Sequence, residues 1–154
     1  AIDMAQVATD KQQVEPMLEV LASLPAELGS VKQLLADSGF YSAANVERCV
    51  QAGIEPLLAA GRQGHHAHWA ERFTEPTALA EPASAVARMK HRLKTIQGRK
   101  LYALRKQTVE PVFGIIKSAM AFRQFLLRGL ASVRGEWSLV TMAWNIKRMA
   151  VMAR

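Results

Sequence analysis

An α/β fold is predicted for this 154-residue chain from three observations. Two short apolar runs, at residues 31–36 and 54–60, bracket an amphipathic stretch that begins at Ser42. Glycine turns, Asp37-Ser38-Gly39 and Gly53, separate these pieces. The last third of the chain then reads as long helical stretches with no further strand. Strand, helix, strand at this spacing is the mark of a parallel pair, because parallel strands need a crossover connection between them. Half of the residues are hydrophobic, enough for a globular core rather than a disordered chain.

The elements follow in order. Asp10 is placed to cap a helix running through Val14, Leu18, Leu21 and Leu24, whose spacing puts them on one face. Pro25 and Gly29 close it. The run 31–36 is a buried strand ending in the Asp37 turn. Ser42 caps the second helix, with Ala43, Val46 and Val50 on one side and Gly53 just past its end. The run 54–60 is the second strand, bounded by Gly61. Residues 61–82 have no clear period and hold Gly61, Gly64, Pro76 and Pro82, so they are expected to be a surface insertion. A basic helix is expected from Ser84 to about residue 96, broken near Gly98. Insertion and basic helix together occupy 61–97.

Two further helical stretches are predicted, at about 99–120 and 134–153. Pro111 removes a backbone donor, which predicts a fresh helix start there with Thr108 as its cap and Glu110 in the first turn. The last helix begins at Gly135-Glu136. Its apolar face holds Trp137, Val140 and Trp144, and Leu139, Met142, Ile146 and Met149 widen it. The two tryptophans are expected in the core. Met142, Met149 and Met152 are expected in the core or at a subunit contact.

Charge is unevenly distributed. The net charge is +7, but residues 1–87 carry 5 Lys and Arg against 11 Asp and Glu, a balance of −6, whereas residues 88–154 carry 15 against 2, a balance of +13. A segment this basic, with few acidic partners for surface ion pairs, predicts a polyanion as partner, since cations that neutralise phosphates release counterions. No apolar run approaches the ~20 residues needed to cross a bilayer, and no secretory signal is visible. No membrane partner is therefore expected. The single cysteine, Cys49, excludes an internal disulfide framework and fits a reducing, cytoplasmic setting. Cys49 carries no activating motif and is expected to be structural. His65, His66 and His68, with or without Cys49, match no tetrahedral zinc spacing.

Two acids stand out. Asp37 lies where a strand gives way to a glycine turn, and ligands in open α/β sheets bind beyond the carboxyl ends of strands. The same position also suits an aspartate that merely caps its turn. Glu110 is one of only two acids in the last 67 residues and is flanked by Arg105, Lys106 and Lys117. In a helix, Lys106, Glu110 and Lys117 share one face. An ordinary surface ion pair would also look like this.

Several segments resemble DDE-class transposases of bacterial insertion sequences. They are Leu35-Ala36-Asp37-Ser38-Gly39-Phe40-Tyr41-Ser42, then Gly53-Ile54-Glu55-Pro56 leading to Gly61-Arg62-Gln63, and Tyr102-Ala103-Leu104-Arg105-Lys106-Gln107-Thr108-Val109-Glu110-Pro111-Val112-Phe113-Gly114-Ile115-Ile116-Lys117. Phe122-Arg123, Arg128-Gly129-Leu130, Gly135-Glu136-Trp137 and Trp144-Asn145 are similar to the same family. The stretch around Glu110 is the most specific part. The resemblance covers nearly the whole chain, so residues 1–154 are expected to be part of a DDE catalytic domain.

That resemblance implies a ribonuclease-H-like fold in which three carboxylates gather two Mg²⁺ (or Mn²⁺) ions. Asp37 would match the second acid and Glu110 the third. Hard oxygen ligands suit such ions, and two of them can activate a water or 3′-hydroxyl and stabilise the leaving oxygen at phosphorus. Tyr102, Arg105 and Lys117 would contact DNA. The Tyr–Arg pair stands one residue further from the Glu than in the commonest form of the motif, so Lys106 is a candidate beside Arg105. Arg62, in the insertion, is a further candidate DNA contact. The implied partner is double-stranded DNA at transposon ends, bound by a possible homodimer, and the implied reaction is phosphodiester hydrolysis and strand transfer.

The chain departs from the family at its start. The first acid should lie on a strand well before the segment Thr9-Asp10-Lys11-Gln12-Gln13, and only eight residues precede that segment. Asp3 is the nearest candidate and lacks a convincing strand. The sequence is accordingly expected to be truncated, with little or no strand transfer of its own. The rival expectations are a non-catalytic basic DNA-binding remnant and a nuclease on the same fold.

Overall fold

The computed structural model describes residues 9–61 and 73–153. These fall into two compact units divided between Arg105 and Lys106. Asp3, Arg62 and the three histidines His65, His66 and His68 lie outside the described residues.

The first unit is built on the expected parallel pair. Strand β1 is Gln33–Ala36 and β2 is Glu55–Leu58, in register Leu35 to Leu57 and Ala36 to Leu58. Helix α2, Ala43–Gln51, is the crossover. Ser42 caps it as expected, its hydroxyl accepting from the Asn45 amide at 3.1 Å. Gly53 takes φ 71° past its end, a conformation that disfavours any Cβ. Leu57 and Leu58 are wholly buried and pack with Val46, Met89 and Leu93, so the core lies between β2, α2 and α3, Ala85–Arg92. Cys49 is also fully buried, and burial pushes its thiol up, which keeps it protonated and inert.

Two expectations about helix starts fail in this unit. Asp10 does not cap a helix. It opens a 3-10 turn, Asp10–Gln13, that leads into α1, Val14–Ala22, and no side chain caps either element. Gly98 does not break the chain. It lies inside α4, Ile96–Ser118, because Thr95 makes the corner: its hydroxyl donates to the Arg92 carbonyl at 2.8 Å and accepts from the Gly98 amide at 2.9 Å. A Cβ on Gly98 would stand 1.8 Å from the Arg92 carbonyl oxygen, so glycine is needed there for the close approach of α3.

The second unit holds the later part of α4 and helix α5, Leu130–Met152. Thr108 does not start a helix, and Pro111 sits inside unbroken α4, which places Glu110 mid-helix rather than in a first turn. An interior proline costs about 3 kcal/mol. Helical hydrogen bonding on both sides of that turn and the burial of Ile116 outweigh it. Trp137, Val140 and Trp144 are half-buried, and Trp137 stacks on Phe113 with ring centroids 5.8 Å apart. The widening set, Leu139, Met142, Ile146 and Met149, is exposed, as is Met152, so of the two places expected for the methionines, core or subunit contact, the core is not the one found. Among the described residues, the apolar stripe of α5 is wider than the surface that covers it.

One buried polar side chain ties the first unit together. Asn45 is 1% exposed, and its amide nitrogen donates to the carbonyls of Lys11 at 2.8 Å and Phe40 at 2.9 Å. Its oxygen accepts from Arg48 at 3.2 Å. Asn45→Ala strands two carbonyls and should lower stability by about 2–3 kcal/mol. Urea unfolding followed by circular dichroism checks this, and a loss below about 0.5 kcal/mol would be inconsistent with the bridge.

Candidate functional site

Because β1 and β2 are parallel, their carboxyl ends lie on one side of the sheet. Asp37 stands there, exposed, directly after β1. Its Oδ1 accepts from the Gly39 amide at 2.9 Å, the turn-capping geometry that the sequence left as one alternative. A ligand role is still open to it, since a carboxylate has several acceptor positions and this bond uses one.

Sequence reasoning missed the neighbour of Asp37. A Cβ built on Gly39 would lie 2.7 Å from Asp10 Oδ2 and 3.1 Å from Asp37 Oδ1. Two carboxylates therefore converge on the space beside Gly39, and only a residue without a side chain leaves that space open. Nothing in hydrophobic periodicity marks Asp10, because its position depends on Asn45 holding the Lys11 carbonyl against that of Phe40. Hard oxygens on one small space are the donor chemistry that a divalent magnesium or manganese ion takes. Among the described residues no three of His, Cys, Asp and Glu gather as a metal cluster.

Tyr102 reaches the same strand end from α4. Its hydroxyl donates to the Ala36 carbonyl at 3.1 Å, pinning the last residue of β1 before Asp37. The Arg105 guanidinium, one turn on, lies 5.7 Å from the Tyr102 ring centroid. Burial pushes the Tyr102 hydroxyl above its ordinary value. The charge and hydrogen bond of Arg105 oppose this, and the charge of Asp37 adds to it. Asp37, Tyr102 and Arg105 thus form one electrostatic group within the first unit.

Lys106, Glu110 and Lys117 belong to the second unit. All three are exposed on α4, and an unbroken helix keeps them on one face. Arg62 falls outside the described residues.

A family model described as a transposase DDE domain matches residues 71–150, more than half of the chain. The chain belongs to this family. The match spans α3, α4 and all but the last two residues of α5, and therefore Tyr102, Arg105, Lys106, Glu110 and Lys117. Asp10 and Asp37 precede it. No curated protein and no solved structure matches the chain. DDE transposases generally use a divalent metal and act on DNA, and the hard-oxygen chemistry beside Gly39 suits the first of these. No described helix is long and apolar enough to cross a membrane.

Tyr102→Phe should cost about 1 kcal/mol, the worth of one hydroxyl–carbonyl bond. The raised hydroxyl also sets a sign in pH. With the folded value above the ordinary one near 10, the unfolded chain ionises first. Stability is thus intact below that value and declines as pH rises through the folded one. The phenylalanine variant should lack this alkaline decline, which thermal melts from pH 8 upward would reveal.

Proposed function

We propose that this chain is a DNA transposase catalytic segment on a ribonuclease-H-like plan, acting on phosphodiesters at the ends of an insertion sequence. The observation that carries the reading is the placing of Asp37 at the carboxyl end of β1, with its strand end pinned by Tyr102 and a second carboxylate, Asp10, beside it. Asp37 and Glu110 are the acids that bind Mg²⁺ or Mn²⁺, and Asp10 supports Asp37. A bound divalent ion would supply charge neutralisation and activation of the attacking oxygen at phosphorus. Residues 1–154 then serve as part of a DDE domain, with 61–97 as the insertion and basic helix between the two acids.

The remaining site residues handle DNA. Arg105, Lys106 and Lys117 neutralise backbone phosphates, and Arg62 adds a contact from the insertion. Tyr102 keeps Arg105 at the strand end that bears Asp37. The partner is double-stranded DNA, held by a homodimer in the cytoplasm of a bacterial cell. The balance of +13 in residues 88–154 supports a phosphate-rich partner over an acidic peptide, because it extends over several helices rather than one patch.

Metal titration tests the assignment. With a duplex carrying a candidate transposon end, binding should strengthen on adding Mn²⁺, and Asp37→Asn or Glu110→Gln should remove that strengthening while leaving the metal-free affinity within about threefold. Duplex binding that ignores both metal and the two substitutions would instead identify a non-catalytic binding module.

A second measurement isolates the carboxylate pair. Gly39→Ala places a methyl group where the two carboxylates converge. It should weaken Mn²⁺ binding, read from the electron paramagnetic resonance signal of the free ion, by about tenfold or more. Unchanged Mn²⁺ affinity in a folded variant would remove Asp10 from the site.

A further inference from the structure

The connection between α4 and α5, residues 119–129, is short, apolar and tightly held. Phe122 and Phe125 pack edge to face at 5.3 Å, and each lies 6.2 Å from Trp137 of α5. The Glu136 carboxylate receives the Leu126 amide at 2.9 and 3.1 Å and the Leu127 amide at 3.1 Å. One side chain of α5 thus clamps two successive backbone donors at the tip of the loop. Gly129, with φ 85°, turns the chain into α5.

The clamp faces two leucines outward. Leu126 is 77% exposed and Leu127 53%, and exposed Arg123 and Arg128 flank them. A loop tip without function is usually polar. Here the backbone donors are consumed inside the protein, and what remains outside is an apolar edge between two cations.

We propose that Leu126 and Leu127 form a wedge that enters a base step of duplex DNA from the minor groove, with Arg123 and Arg128 on the phosphates at either side. Apolar side chains on a rigid mount can part stacked bases, while flanking cations hold the backbone on both sides of the gap. Charge decides between partners. Residues 106–153 carry seven Lys and Arg against Glu110 and Glu136, and Glu136 is committed to the loop amides. A polyanion with an apolar interior matches this pattern, and stacked base pairs between phosphate chains are such a partner. The proposal rests on the reading of DNA as the partner.

The experiment uses the full chain and a 30-base-pair duplex with 2-aminopurine placed at successive steps. Unstacking raises the fluorescence of that base, and electrophoretic mobility reports affinity separately. The wild-type chain should raise the fluorescence severalfold at a confined position. Leu126→Ser with Leu127→Ser should abolish the rise while affinity falls by no more than about tenfold, whereas Leu126→Met should keep it. Arg123→Gln with Arg128→Gln should lower the slope of log affinity against log salt by about 2. A rise that survives in the double serine variant overturns the wedge and leaves DNA binding standing. So does leucine-dependent binding to phosphatidylserine vesicles without leucine-dependent unstacking. Failure of the wild-type chain to bind any duplex overturns both the wedge and the DNA reading on which it rests.

Discussion

The amide of Asn45 holds the first unit in its working shape. Two carbonyls, from Lys11 and Phe40, come from segments more than 25 residues apart in sequence, and both accept hydrogen bonds from the amide nitrogen of one side chain. The residue is buried, so each bond replaces water that cannot return. Through it the 3-10 turn bearing Asp10 is fastened to the turn bearing Asp37 and Gly39. The helix that carries Asn45 is itself the crossover of the parallel pair, capped by Ser42 three residues earlier. Sheet, crossover and carboxylate pair therefore share a single anchoring point, and the placing of Asp10 beside Asp37 follows from it.

The carboxyl end of β1 is fastened from the other side as well. Tyr102 bonds the carbonyl of Ala36, and Ala36 is also the last residue paired with β2. Asp37 follows immediately, with its backbone fixed and its carboxylate exposed. The cation-binding role proposed for Asp37 would draw on this combination. A buried acid would resist ionisation, and an acid on a loose loop would lose conformational entropy on every binding event. Gly39 completes the arrangement by leaving empty the volume toward which both carboxylates turn. Arg105, beside the Tyr102 ring, adds a cation close to this acidic edge.

Much of this was legible in the sequence where a signal is local. Ser42 as a cap, Gly53 past the helix end and the two apolar runs each state their structure within a few residues, and α2 and the parallel pair follow. Asp37 at a strand end was legible for the same reason. Expectations failed where a local rule met a tertiary contact. Asp10 has the residue type of a helix cap, yet the bonds of Asn45 decide where it sits. Pro111 has a real local cost, yet an already propagating helix with Ile116 buried beyond it carries through. Gly98 looks like a breaker, yet its missing Cβ is what lets α3 approach the start of α4. On α5, helical period found the apolar residues but could not say that Trp137, Val140 and Trp144 would find cover while Leu139, Met142, Ile146 and Met149 would not.

The segregation of charge gives these pieces a common logic. Acids scattered among cations weaken a surface that binds phosphate, so separating the two kinds of charge strengthens it. Residues 1–87 hold 11 of the 13 acids, and the convergent pair Asp10 and Asp37 lies among them. Residues 88–154 hold 15 of the 20 cations and only two acids. Of these two, Glu136 accepts from the amides of Leu126 and Leu127, a structural task. Glu110 remains as the acid of the cationic half, exposed on the same helical face as Lys106 and Lys117. Service to a cation is the role that the proposed function gives to Glu110, and the family match covers the helix that bears it.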